Sequence, residues 1–324
     1  MPSSITDTPD TPDTRVQETG PAPFAQVIEV APGVHACLQP PGGWCLNNSG
    51  ILVGGGESAL VDTAATESRS LHLREAALRL NPAAAPRTVV NTHFHGDHAF
   101  GNHLFPEALV VGHERTRTEM IAAGLHLTGL WPDVEWGRIE VRPPSLTYRD
   151  SLTLHLGALR AELQHIGPAH TSNDTVVWLP DERVLFTGDL VMKGVTPFCL
   201  MGSVNGSLAA LEQLRAYGAT TVVPGHGPLC GPEVFDEVEE YLRFVQRLAE
   251  EGRAAGRTPL EAAGDADLGR FATLLDTERL VPNLHRAYAE LDGLGAEEPL
   301  PMPVRQGALG EMISHHGGLP CCLA

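Results

Sequence analysis

The sequence predicts an α/β (α+β) fold, a two-sheet sandwich with helices on its outer faces. Three observations predict it. Short runs of β-type residues, separated by glycine-rich turns, fill two stretches of the 324-residue chain. Each strand-rich half gives way to segments with helical periodicity. Several apolar strands also run out into loops of unusual polar residues: VVNTHFHGDH, VLFTGD and TVVPGHG. A sheet hides one face and a helix one stripe, so such halves close into packed layers.

In chain order, AQVIEV and GVHACL read as strands, and SGILVGGGESALVDT as a hairpin turning on Gly54, Gly55 and Gly56. ESRSLHLREAALRL has apolar residues at helical spacing and stops before Asn81-Pro82. RTVVNTH is a short apolar run, and ALVVGHE a strand leading into a helix. The second half continues with SLTLHLGALRAELQHI, TVVWLP and RVLFTGD as strands, SLAALEQLRAYG as a helix, and TTVVPGHG as a strand and turn. From Pro232 the chain turns helical through EVFDEVEEYLRFVQRLAEEG and DTERLVPNLHRAYAELDG. The expected organisation is a leader over 1–23, a core over 24–231, a helical part over 232–298 packed on it, and a tail over 299–324 with little periodicity. Repeated TPD and low hydrophobicity make the leader an expected disordered segment.

Composition narrows the function. A hydrophobic content of 42% with 19% charged residues suits a globular enzyme. No apolar run reaches the roughly 18 residues of a membrane span. The start MPSSITDTPDTPDT lacks the cationic and apolar regions of a signal peptide, so the expected location is cytoplasmic. Cys37, Cys45, Cys199, Cys230, Cys321 and Cys322 have no metal-binding or redox spacing and read as reduced thiols. The ending CCLA, with Cys321 at a prenylation position, reads as an ordinary tail. A net charge of −18 argues against nucleic acid, which is bound through cations.

The stretch His93-Phe94-His95-Gly96-Asp97-His98 packs three histidines and one aspartate into six positions. Zinc takes about four ligands from imidazole, carboxylate or thiolate groups. Two histidines one residue apart can share an ion from an extended turn, and adjacent Asp97 and His98 can serve a second. Further candidates stand in matching loop contexts: His170 in GPAHTSND, Asp189 in LFTGDL and His226 in VPGHG. The other histidines, His103, His113 and His155 among them, fit no such slot.

On these residues the chain resembles the metallo-β-lactamase superfamily from about Gln26 to Pro232, and all seven ligand positions find a match. The resemblance implies an αββα metallo-β-lactamase sandwich with a helical C-terminal extension. It implies that His93, His95 and His170 hold one metal and Asp97, His98 and His226 another, with Asp189 bridging. The expected cofactors are two Zn2+, with iron or manganese as alternatives. In such pairs the metals activate a water and polarise a carbonyl, and Asp97 is the expected catalytic residue, orienting the water and later moving its proton.

Departures from the family patterns narrow the chemistry. Antibiotic-cleaving members usually carry Cys or Ser where Asp189 stands, and flavin-linked diiron members carry Glu where His95 stands. The nuclease branch has a large insertion for which this chain has no room. Trp44, Phe94, Phe198, Leu200 and Met201 are the expected substrate-binding residues, forming an apolar rim. The acidic EVFDEVEEYL departs from the basic helices with which glyoxalase II meets glutathione. NSGILVGG, PGHG and the helical extension are similar to the zinc cyclases of bacterial aromatic polyketide synthases, of actinorhodin type. The resemblance implies an intramolecular aldol ring closure coupled to thioester cleavage, on a polyketide carried by an acyl carrier protein. The alternatives are a general thioester or lactone hydrolase, a mononuclear-iron sulfur dioxygenase, and a member that binds without turnover.

Overall fold

The computed structural model describes residues 25–324, so the expected leader lies outside the described residues. One sheet runs in the order β1 (Gln26–Ala31), β2 (Val34–Leu38), β3 (Ser49–Gly54), β4 (Glu57–Val61), β5 (Thr88–Val90), β6 (Leu109–His113), β7 (Leu146–Tyr148). Its first four strands are antiparallel neighbours and the rest pair in parallel. The second sheet holds β8 (Ser151–Leu156), β9 (Leu159–His165), β10 (Thr175–Leu179), β11 (Val184–Met192) and β12 (Thr221–His226) in the order β12-β11-β10-β9-β8.

The inner strands β2 to β6 and β10 to β12 are covered on both sides and read as almost unbroken apolar runs, whereas β8 and β9 alternate between buried and more exposed positions and β1 is mostly exposed. Side chains still alternate in direction. On β10, Val177 and Leu179 point between the sheets to meet Val34, Leu52 and Phe186, whereas Val176 and Trp178 face outward. The outward face packs on α4 (Val204–Ala216), α5 (Val234–Ala254), α6 (Pro259–Gly264) and α7 (Leu280–Leu291). Across the molecule, Ile51, Leu60, Val89 and Val110 face Leu73, Ala76 and Ala77 of α1 (Glu67–Leu80). The layers are therefore αββα, the expected fold class. Two shorter helices, α2 (Gly96–Ala99) and α3 (Glu114–Ala123), follow β5 and β6.

The segment 299–324, expected to be a tail with little periodicity, carries α8 (Met302–His316). Glycines at 307 and 310 hide the helix from propensity arguments, because glycine disfavours helix interiors, while Pro301 at the N-cap and Pro303 in the first turn are tolerated. It forms because Ala308 and Met312 bury one stripe on the core, and it stops at Gly317, whose φ of 82° is left-handed. Beyond it the chain folds back. Trp131 Nε1 donates to the Pro320 carbonyl at 2.8 Å, Arg69 Nη2 to the Leu323 carbonyl at 2.8 Å, and Cys322 packs beside Cys45 and Phe100. Among the described residues no helix is long and apolar enough to cross a membrane. All six cysteines are free.

Candidate metal centre

The site forms where strands from both sheets end. β5 runs into the loop that carries His93 and His95, and His95 precedes α2, which holds Asp97 and His98. Asp189 lies on β11 and His226 ends β12, and the parallel pairing of those strands brings them together. His170 comes from the loop between β9 and β10. Gly225 makes this crowding feasible: a Cβ there would lie 1.9 Å from Asp189 Oδ1. The structure thus gathers all seven expected ligand residues, in two groups: His93, His95, His170 and Asp189, and Asp97, His98 and His226.

The inward atoms crowd at distances typical of groups sharing an ion. His95 Nδ1 is 3.1 Å from His93 Nε2 and 2.9 Å from His170 Nε2. Asp189 Oδ2 lies 3.4 Å from His170 Nε2 and 3.5 Å from His226 Nε2, and Oδ1 lies 3.1 Å from His98 Nε2. Asp97 Oδ2 is 3.3 Å from His226 Nε2. Asp189 therefore touches both groups, the position of a bridge. His98 Nε2 and Asp189 Oδ1 are buried with no hydrogen-bond partner, which buried polar atoms rarely tolerate. Nitrogen and carboxylate oxygen donors in this number and closeness fit two divalent cations.

The outward nitrogens are held in the tautomers ligation needs. Asp62 accepts from Thr92 N at 2.7 Å, from Thr92 Oγ1 at 2.7 Å and from His98 Nδ1 at 2.8 Å. Because the Thr92 hydroxyl donates to Asp62, it accepts from His93 Nδ1 at 3.0 Å. His170 Nδ1 donates to the Phe198 carbonyl at 2.6 Å and His226 Nδ1 to the Gly42 carbonyl at 3.0 Å. Each of these four rings presents a bare Nε2 inward, the outer-partner pattern of metal-binding histidines. Electrostatics agree. Burial holds His93, His95 and His170 low, so they stay neutral donors. Burial would also depress His226, but the Asp189 and Asp97 carboxylates hold it up to about 9, the response of acidic groups that attract positive charge. Burial opposes ionisation of Asp97, yet His98 and His226 keep its carboxyl well below the usual range.

The cluster opens into a cavity of about 660 Å³. His95, Asp97, His170, Asp189 and His226 face it, while His93 and His98 sit behind. Trp44, Phe94, Phe198, Leu200 and Met201 all line it, as expected. Trp44 has a second task that its sequence context does not reveal. Its ring covers the guanidinium of buried Arg279 at 3.9 Å, and its Nε1 donates to Glu278 Oε1 at 2.7 Å. Sequence reasoning also missed Asp62, His126, Arg279 and the α8 wall of Met302, Arg305 and Leu309. Asp62 did carry a signal: like Asp189 it is a carboxylate on an apolar strand's end.

Seven clustered donors at the strand ends of an αββα sandwich define a two-metal centre of superfamily type. Residues 42–226, more than half the chain, match the metallo-beta-lactamase superfamily, and the chain belongs to it. A hydroxyacylglutathione hydrolase of Anaeromyxobacter dehalogenans is 31% identical over 251 residues, 72% of this chain and 80% of the relative. The acyl-coenzyme A thioesterase MBLAC2 of Bos taurus is 28% identical over 180 residues, covering 50% and 63%. A linear primary-alkylsulfatase of a Pseudomonas species is 27% identical over 200 residues, covering 49% of this chain and 37% of that protein. The chain thus spans less than two thirds of the length of the last two. A metallo-beta-lactamase from Pontibacter korlensis superposes with a TM-score of 0.54 over 68% of this chain and 99% of its own, at 21% identity, which speaks for the fold.

Proposed function

We propose that this protein is a metal-dependent hydrolase that cleaves thioesters of bulky, largely apolar acyl groups. The observation that carries the reading is the opening of the seven-donor cluster into a wide cavity walled by Trp44, Phe94, Phe198, Leu200 and Met201. The relatives named for thioester substrates, MBLAC2 and the hydroxyacylglutathione hydrolase, support the bond class.

Two divalent cations held by the cluster would lower the pKa of a water and polarise the acyl carbonyl. The chain's own residues do the rest. Asp97, at the cavity face, orients the attacking water, takes its proton at a carboxylate oxygen and delivers it to the departing sulfur. Thioester and water become acid and thiol. Asp62 and Thr92 keep His93 and His98 in their ligating tautomers. The aromatic wall positions the acyl group and excludes bulk water.

A finer reading is a cyclase and thioesterase acting on an aromatic polyketide carried by an acyl carrier protein. The cavity's width and aromatic lining favour it, together with the sequence resemblance. The deciding experiment measures metal content and thiol release from pantetheine thioesters of acetyl, decanoyl and fused-ring aromatic acyl groups. Two equivalents of zinc, loss of activity with a chelator, and preference for the large acyl groups are expected. Thiol release that ignores metal, or iron with oxygen uptake, would overturn the hydrolase. A ring-closed, dehydrated product from a poly-β-ketone mimic is expected of the cyclase, and simple acid release alone leaves only the hydrolase.

A further inference from the structure

The end of the chain returns to the cavity by a route that sets two cysteines side by side. Beyond α8, the Pro320 carbonyl accepts from Trp131 Nε1 at 2.8 Å and the Leu323 carbonyl from Arg69 Nη2 at 2.8 Å. Cys322, between those anchors, packs on the cluster of Cys45, Phe100 and Trp131, and the Cys45 thiol donates a hydrogen bond to it. Cys45 is buried, next to Trp44 in the connection between β2 and β3. Both of those residues line the cavity, as do Leu319 and Pro320 of the returning segment. The two thiols therefore stand where two walls of one cavity meet.

The pair differs from the other cysteines. Cys37 and Cys199 are enclosed in separate apolar clusters, which suits inert thiols. Cys322 is partly exposed, and three groups favour its thiolate: Cys45 and the Ala324 backbone by hydrogen bonds, and the Arg69 guanidinium by its charge. Its partial burial and the Asp97 carboxylate oppose the thiolate less strongly. A partly exposed thiol beside a cation and next to a second thiol is the arrangement that peroxide oxidises reversibly. Cys321 is exposed but badly placed to pair with Cys322. Disulfides span Cα atoms about 4.4–6.8 Å apart, whereas neighbours across a trans peptide stand about 3.8 Å apart.

We infer that Cys45 and Cys322 form a peroxide-responsive dithiol pair, whose disulfide fastens the C-terminal segment to the loop that carries Trp44. The Cys322 thiolate attacks one oxygen of hydrogen peroxide, the O–O bond breaks, and the departing hydroxide takes a proton from solvent to become water. The Cys45 sulfur then attacks the Cys322 sulfenic acid. An S–S bond forms, the S–O bond breaks, and the Cys45 proton leaves with that hydroxide as a second water. Two thiols lose two electrons and one peroxide gains them. The product joins covalently two cavity walls that the reduced chain holds together by packing and hydrogen bonds.

The test treats the full zinc-loaded chain with hydrogen peroxide and follows it by thiol titration after denaturation and by peptide mass spectrometry. Of the six free thiols, four are expected to remain, with the Cys45 peptide joined to the Cys322 peptide and dithiothreitol separating them. Cys322→Ser should form no such link, and Cys321→Ser should form it as the native chain does. Cys45→Ser should stop at a sulfenic acid on Cys322 that dimedone traps. Cys45 is buried with a left-handed φ of 63°, so if its variant does not fold the other two variants decide. Survival of all six thiols in excess peroxide overturns the pair. So does a Cys321–Cys322 product, a dimer joined through Cys321, or a sulfinic acid on Cys322 with Cys45 still a thiol. Carboxypeptidase Y reads the fastening: it should trim the reduced chain past Cys322 but remove only Leu323 and Ala324 from the oxidised one. Trimming that halts at the same residue in both forms overturns the fastening.

Discussion

Asp62→Asn changes one atom of a residue that never faces the cavity, yet it should disable the centre. The native carboxylate accepts three hydrogen bonds, two from Thr92 and one from His98 Nδ1. Asparagine can keep the bond from Thr92 N through its oxygen, but it then turns an NH2 group toward the Thr92 hydroxyl and His98 Nδ1–H. Donor meets donor. His98 can relieve the clash by moving its proton to Nε2, which destroys its lone pair toward the cluster. Thr92 can turn its hydroxyl to accept from the new NH2, which frees the proton on His93 Nδ1 to leave its place. Losing such an outer partner weakens metal binding by about 10–100-fold, or roughly 1.4–2.7 kcal/mol. Two ligands depend on this carboxylate, so the larger figure is expected. His98 loses its partner directly and His93 only through Thr92, so the ion held by Asp97, His98 and His226 should weaken most. Competition with a chromophoric zinc chelator resolves the two affinities, and circular dichroism checks the fold. A folded variant with both affinities within twofold of the native values would refute the tautomer argument.

Removing the bridge with Asp189→Ala should cost the second zinc equivalent before the first, read by elemental analysis after dialysis. Asp97→Asn keeps the shape but removes the proton carrier, so kcat should fall by about 10² or more while KM moves much less; equal losses would mark a substrate contact instead. Far from the centre, Glu290 accepts from fully buried Arg286 at 2.7 Å and from the amides of Val204 and Asn205 at 2.9 and 3.0 Å. Glu290→Ala should destabilise the fold by about 3–5 kcal/mol in urea unfolding, because it strands a buried guanidinium. Burial pushes the thiols of Cys37 and Cys199 up to about 12, so both should resist iodoacetamide at pH 8. Cys322, held low by a hydrogen bond from Cys45, should be labelled together with exposed Cys321, as mass spectrometry would show.

The clustering of the candidate ligand residues was legible because chemistry of this kind uses rare residue types at strand ends, and three histidines in six positions stand out against any background. The layers were legible for a related reason: buried strands such as TVVWL need uninterrupted apolar runs. His126 left no comparable mark. A lone histidine on an irregular connection resembles any other, and only folding sets it against His95. The role of Trp44 as the cover of Arg279 joins residues 235 positions apart, a pairing that no local pattern encodes. The helix α8 escaped because tertiary burial of Ala308 and Met312, rather than propensity, holds it in place.

The order in which the parts of this site occur along the chain has a consequence in time. His226, the last ligand, precedes Met302, the first residue of the α8 wall, by 76 positions. At about 5–20 residues per second, a ribosome needs roughly 4–15 s to make that stretch. The nascent chain therefore possesses every metal donor for seconds before it possesses the helix that narrows the cavity. A chain at that stage would meet metal through a wider entrance than the finished mouth, which Met302, Arg305 and Leu309 help to line. Reloading of stripped protein should accordingly be slower than uptake by ribosome-stalled chains ending between His226 and Met302, a comparison that a radioactive zinc pulse can make. Equal rates would show that α8 is no barrier to the ion.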